Sequence, residues 1–239
     1  MHEDLTVKSA YSSCNSGFTL VEIAIVLVII GLLLGGVFKG QEMITQGRIK
    51  SAINDFSGIT AAYYAYLDRY KALPGDDSQA NTRWPASLLP AGSSGNSGNS
   101  DGTISGAYNT TGNASAESQY FWMHLRAAGL VTGSAASALQ PLNAAGGIIG
   151  VETGNGATPP GEVLQSNGAG TGFTGFMICS SGLSDRVAAA VDRQLDDGIP
   201  NTGSIRAQLT ATPDPIQTTA MSGSYTDSGT TLVTICKAL

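Results

Sequence analysis

Gly17-Phe18-Thr19-Leu20-Val21-Glu22 opens an apolar run that continues to Phe38. Within it Glu22 is the single charged side chain, set among Leu, Ile, Val, Ala, Gly, Phe and Thr19. About 20 apolar residues at ~1.5 Å rise each reach across the ~30 Å hydrocarbon layer of a bilayer. The run is therefore a membrane-helix candidate, with a carboxylate one turn inside it. A charge at the middle of a spanning helix costs about 2.5–3.5 kcal/mol on insertion scales. Glu22 lies near the end of the run, where the cost is lower, but it still requires a partner. An ordinary secretory signal has an apolar core of about 7–15 residues, which is shorter than this run and holds no glutamate. A plain signal anchor carrying an unrelated exported domain is the other reading.

A polar stretch, Ser12 to Ser16, precedes the hexapeptide. Together with the helix behind it, Gly17 to Glu22 resembles the processing site of type IV prepilins and type II secretion pseudopilins. The resemblance implies that the prepilin peptidase cuts after Gly17 and that the new N-terminal residue, Phe18, is N-methylated. It also implies that Glu22 pairs with the Phe18 amine of a neighbouring subunit as subunits stack. Assembly would then neutralise an intramembrane charge. The partners so implied are further copies of the chain in a helical filament, the peptidase, an inner-membrane assembly platform, and lipid before assembly. The implied location is the bacterial inner membrane as a precursor, then an extracellular pilus or a periplasmic pseudopilus. Leaders of this family are usually short and basic; here Lys8 stands against Glu3 and Asp4, a departure from the pattern. The likeness is specific over residues 17–38 and general elsewhere.

Past Phe38 the helical pattern changes character. Ile49, Ile53, Phe56, Ile59, Tyr63, Tyr66 or Leu67, and Tyr70 recur every three or four residues, with Gln, Glu, Arg, Lys, Asn and Asp between them. That spacing predicts an amphipathic helix. With no proline between Phe18 and Leu73, one helix is expected from Phe18 to about Lys71, ended by Leu73-Pro74-Gly75. The expected organisation is a leader over 1–17, a membrane and polymerisation segment over 18–40, an amphipathic segment over 41–72, and a globular head over 73–239. Gly31 and Gly35, and Gly36 and Gly40, form small-xxx-small pairs that admit close helix approach. Each glycine also weakens a helix by about 1 kcal/mol relative to alanine. Gly31 to Gly40 is thus expected to be the helix's weakest part; ordinary glycine tolerance in a membrane helix is the alternative. Many type IV pilins carry proline at the position of Lys39, and this chain does not.

The head reads as loop-rich. The chain holds 31 glycines, and residues 91–113 are a Gly/Ser/Asn/Thr tract, expected to be an exposed, mobile loop. Asn109 and Asn113 begin glycosylation sequons that a Ser/Thr/Asn-rich tract also produces by chance. A second helix is expected over Ser115 to Gly129, capped by Ser115, with Phe121, Trp122, Leu125 and Leu130 as its apolar face. Strands are expected at Ile148–Val151, Gly175–Cys179, Ser204–Leu209 and Thr230–Cys236. A further helix is expected over Val187–Leu195, with Ser184 as cap and Asp185 in its first turn. The fold class is α+β and pilin-like: a long N-terminal helix whose amphipathic half packs on a small antiparallel sheet. Of Cys14, Cys179 and Cys236, the first falls in the proposed leader, leaving a pair. A Cys179–Cys236 disulfide fits an exported domain, and two buried thiols are the alternative.

The net charge is −6, with no basic stripe interleaved with aromatics, so nucleic acid is not an expected partner. Asp192, Asp196 and Asp197 form the densest acidic cluster. The EF-hand pattern is not met, and Asp-Gly and Pro-Asn-Thr-Gly are ordinary turn chemistry. Some pseudopilins bind calcium in their C-terminal domains, so the resemblance keeps calcium as a weak expectation here; no other cofactor is expected. Asp76-Asp77 offers the same choice of turn or ligand. His124 has no nucleophilic elbow beside it, and no phosphate loop, dinucleotide fingerprint or zinc-protease helix occurs. An enzyme is therefore not expected, and a membrane-anchored exported enzyme is the remote alternative. The leading expectation is a filament subunit serving adhesion, motility or DNA uptake; a type II secretion pseudopilin or minor pilin is the runner-up.

Overall fold

The computed structural model describes residues 17–85, 88, 97–111, 116–154, 163–165, 172–210, 216–217 and 219–239. The elements run α1 (Leu20–Tyr70), α2 (Ala80–Arg83), α3 (Glu117–Ala127), β1 (Ile149–Thr153), β2 (Phe176–Ser184), α4 (Asp185–Leu195), β3 (Ile205–Leu209) and β4 (Leu232–Ala238). The architecture is α+β, a 51-residue N-terminal helix and a small antiparallel sheet, as the apolar spacing and turn residues predict. The chain divides into two compact units at Ile44 and Thr45.

In the first unit, every large apolar residue from Phe18 to Phe38 is exposed. A helix that is apolar all round and uncovered is one whose solvent is lipid or other helices. It is long and apolar enough to cross a membrane. α1 stays helical through Gly31 to Gly40, and Lys39 pairs with Glu42 at 2.8 Å just beyond the apolar run.

In the second unit, Ile49, Ala52, Phe56, Ile59, Ala62 and Tyr66 of α1 are buried, a stripe at helical spacing. Tyr66, not Leu67, takes the inward position near the end. The sheet order is β1-β2-β4-β3, all antiparallel. One sheet face, with Val151, Ile178, Leu183, Ile205, Val233 and Ile235, joins the α1 stripe, α3 and α4 in the main core. The other face carries Met177, Cys179 and Cys236, covered by Tyr108, Leu164, Phe173 and Ala220. Ile178 and Leu183 lie five residues apart, yet both point to the helix side. A one-residue register shift between Ser180 and Leu183 reverses the alternation, and Gly182 supplies it at φ 67°.

Several boundaries differ from the sequence expectation. Phe18 and Thr19 stand outside α1, because Thr19 caps it. β2 runs on to Ser184, since the bulge lets pairing with β4 resume at Leu183. β4 is displaced two residues toward the C-terminus, and α2 was not foreseen. Ser115, the expected cap of α3, lies outside the described residues; Ala116 occupies the cap position without a side-chain bond. Ser184 precedes α4 but makes no capping bond either.

The largest correction concerns the low-complexity tract. Residues 91–96, 112 and 113, including the second sequon's Asn113, lie outside the described residues. Residues 97–111 are not a free loop: Ile104 and Tyr108 are buried. Three acidic side chains collect the backbone donors of this segment. Asp76 accepts from the Ser100, Asp101 and Gly102 N–H groups, Glu117 from Asn99 and Ser105, and Glu152 from Tyr108. A polar, glycine-rich segment can thus be fixed without an apolar anchor at each turn, because its donors are satisfied by acceptors that are buried, Asp76 and Glu117, or half-buried, Glu152.

Candidate functional site

The start of α1 is built as a reciprocal cap. The Glu22 N–H donates to Thr19 Oγ1 at 3.2 Å, while Glu22 Oε2 accepts from the Thr19 N–H at 2.8 Å and the Thr19 hydroxyl at 2.7 Å. Thr19-x-x-Glu22 is a capping box, and its spacing is readable in sequence, although the sequence reading above did not use it. Glu22 therefore has a partner in its own chain, which the reading above lacked. Among the described residues it makes no ion pair. Its carboxylate stands on a helix whose neighbouring side chains, Leu20, Val21, Ile23 and Ile25, are exposed apolar groups. Gly17 and Phe18 precede the helix in non-helical backbone, and Phe18 is 83% exposed. The bond between them is thus not locked into a hydrogen-bonded helical turn.

Gly31, Gly35, Gly36 and Gly40 lie further along the same segment. A Cβ added at any of them would meet nothing within 4 Å. Among the described residues no contact requires glycine there, so each leaves a strip of bare backbone available to another helix.

The remaining candidates lie in the second unit. Cys179 and Cys236 are paired across β2 and β4, with Cα atoms 4.0 Å apart and a separation of 57 positions in sequence. Both are fully buried on the outer sheet face. Asp192, Asp196 and Asp197 bring ligand-capable oxygens within 4.8 Å of one another. Each is also engaged in shaping the turn after α4. Asp192 accepts from the Tyr225 hydroxyl and Gly198 N–H, Asp196 from Ile205 N–H, and Asp197 from Ile199 N–H and the Thr202 hydroxyl. Burial pushes the Asp192 carboxyl up to about 6, against the pull of those two donors. Asp197 is held below the ordinary range by its Thr202 and Ile199 bonds.

Asp76 and Asp77 serve the turn after α1. Asp77 accepts from the Tyr66 hydroxyl at 2.7 Å and the Gln79 N–H at 2.9 Å, and forms an ion pair with Arg83. His124 is buried in the core, where its Nδ1 accepts the Gly75 N–H at 2.9 Å. Sequence reasoning missed Asp185. Its fully buried carboxylate accepts from the Thr226 hydroxyl, the Ser228 N–H and hydroxyl, and the Gly229 N–H. Burial raises its pKa, but these hydrogen bonds outweigh it and hold the group well below the carboxylate range. Nothing in the local sequence separates this role from that of an ordinary first-turn aspartate.

Residues 12–38 match the family model described as the prokaryotic N-terminal methylation motif. That motif is the leader signature of type IV pilins and pseudopilins, and over these residues it supports a pilin-like or pseudopilin precursor. The apolar part of α1 that lies within the matched residues fits membrane anchoring of such a precursor. No curated protein matches the chain.

Proposed function

We propose that the chain is a structural subunit of a type IV pilus-like filament. The precursor is cut after Gly17, N-methylated at Phe18, and polymerised through the first part of α1. The observation that carries this reading is a carboxylate, Glu22, placed beside the cleavage motif on a helical segment whose large apolar side chains are exposed. In the protomer Thr19 satisfies Glu22 with two neutral donors. A neighbouring Phe18 amine would add a charge-assisted bond, roughly twice as strong as a neutral one, and cancel the charge. Membrane insertion and assembly are thereby separable: the capping box suffices for the first, and the intersubunit pair drives the second.

The test is Glu22→Ala in a host that supplies the peptidase and assembly platform. Insertion and cleavage after Gly17 should persist, while sheared surface fibres fall at least tenfold. Normal fibre yield from that variant would refute the pairing role. The alternative, a type II secretion pseudopilin or minor pilin, is distinguished by abundance. N-methylated Phe18 should dominate sheared extracellular material for a major pilin and remain a trace envelope component for the others. Adhesion, motility and DNA uptake are the roles such a fibre would serve.

A further inference from the structure

The filament reading makes no use of the outer sheet face, where the disulfide lies. In register, Gly150 of β1, Cys179 of β2, Cys236 of β4 and Arg206 of β3 form one row across the four strands. Directly paired residues of antiparallel strands point to the same face, so the whole row faces away from the main core. The two ends of the row are closed differently. At the β1 end the Tyr108 backbone lies on Gly150. That strap is tied down: its Tyr108 N–H donates to Glu152 at 3.0 Å, and its Tyr108 carbonyl accepts from the Gln140 amide at 3.3 Å. At the β3 end stands Arg206, itself buried. Its Nη1 donates to the Leu164 carbonyl at 2.8 Å, and its guanidinium carbon lies 4.6 Å from the centre of the Phe173 ring. Among the described residues, Leu164 and Ala220 complete the cover here, both buried in the cluster that holds the two cysteines.

We infer that Leu164 and Ala220 form a lid over the Cys236 sulfur, clasped by Arg206, and that an external thiolate attacks Cys236 when the lid lifts, while the sheet and the main core stay folded. Leu164 sits at φ 52° with its side chain fully buried, a left-handed conformation that is unfavourable for a bulky residue. The backbone bonds of the lid run from Leu164 to Gln217, between Val163 and Phe173, and from Ala220 to Gln165. These bonds lie outside the four-stranded ladder and involve no residue of α1, α3 or α4. The main core is a separate cluster on the opposite face. A strained segment with few bonds opens at lower cost than the elements beneath it. The lid also sets which sulfur reacts. In thiol–disulfide exchange the attacking, attacked and leaving sulfurs line up. Because the bond runs between β2 and β4, Cys179 Sγ is approached from the β1 side, beneath the tied Tyr108 strap. Cys236 Sγ is approached from the β3 side, beneath Leu164. The thiolate bonds to Cys236 Sγ, and the electron pair of the S–S bond leaves on Cys179, which takes a proton from water. A second thiolate then attacks the external sulfur of the mixed disulfide. It releases the Cys236 thiolate and carries away the oxidised small disulfide.

The test is reaction of the full chain in detergent micelles with reduced glutathione at about pH 8, where that thiol is partly ionised. Samples are quenched in acid, alkylated and mapped by peptide mass. The first adduct should sit on Cys236, with Cys179 alkylated. Leu164→Ala should speed adduct formation at least about tenfold, because truncating a buried leucine destabilises the closed lid by more than that factor requires. Phe56→Leu, in the main core, should lower the unfolding midpoint yet leave the adduct rate within about twofold. In urea below the unfolding transition, the adduct rate should rise with a shallower slope than unfolding, because lifting the lid exposes less surface. A first adduct on Cys179, a Phe56→Leu rate that rises in step with its destabilisation, or equal urea slopes overturns the proposal. Should Leu164→Ala fail to fold, the adduct map and urea slopes of the unmodified chain decide. This test is independent of filament formation.

Discussion

Two buried aspartates, seven residues apart on α4, respond to pH in opposite directions for reasons visible in their partners. Asp185 accepts from two hydroxyls and two N–H groups of the Thr226–Gly229 turn. Asp185→Ala would strand those donors, each worth about 1–3 kcal/mol when buried and unpaired. We expect a loss of at least ~3 kcal/mol in denaturant unfolding of the detergent-solubilised chain. Asp192, raised to about 6, stays protonated in the folded chain between about pH 4 and 6, where the unfolded carboxyl has lost its proton. Its contribution to stability therefore falls as pH rises through that window and levels off above it. Glu152 is pushed up to about 7 by burial, against the Tyr108 N–H bond, and extends the fall from about pH 4.5 to 7. The contribution of Asp185, with its pKa lowered, is lost only in strong acid, as pH drops through its low folded value. Thermal unfolding followed from pH 4.5 to 7.5 should show the midpoint declining with pH. The double variant Asp192→Asn with Glu152→Gln should lose that decline, which corresponds to about 1–3 kcal/mol per group at most.

At the scale of elements, the sheet has a layer on each side. The helix-side layer was legible: the period of Ile49, Phe56, Ile59 and Tyr66, and the β-branched runs near 149, 178, 205 and 233, place it correctly. The outer layer was not. It depends on Tyr108 crossing β1 at Gly150, where an added Cβ would collide with the Tyr108 carbonyl oxygen. A glycine inside a strand signals a close backbone approach, but not which backbone approaches. Gly150→Ala should expel residues 104–110 from the sheet and expose Tyr108, measurable as increased phenol access to an aqueous quencher with the helix content unchanged. The disulfide lies beneath this layer. Closing a loop of this length contributes about 4 kcal/mol in the chain-entropy account. Cys179→Ser with Cys236→Ser should lower unfolding stability by about 2–4 kcal/mol, the range for small disulfide-bonded domains.

On the scale of the whole molecule, residues 17–22 were the most legible part and 97–111 the least. Apolar length and one misplaced carboxylate are composition-level signals, whereas a polar tract held by Asp76, Glu117 and Glu152 depends on residues distant in sequence. The site's second half, Thr19, was in plain view as the first position of a capping box. Because the chain separates into compact units at Ile44 and Thr45, a fragment beginning at Thr45 should fold. It should stay soluble without detergent and unfold at the same midpoint as the full chain. A fragment that aggregates or lacks cooperative unfolding would show that the apolar segment is needed for the head's integrity.

The strand order carries one more consequence, for biosynthesis. β4 is synthesised last of the strands, yet it lies between β2 and β3, so neither partner can be bonded on that side until it arrives. While the chain emerges the sheet is still open, and its two cysteines meet only after Cys236 has been made. A stop codon shortly before Leu232 would therefore leave a tethered, unfinished head with a free thiol, rather than a slightly shorter version of the same protein.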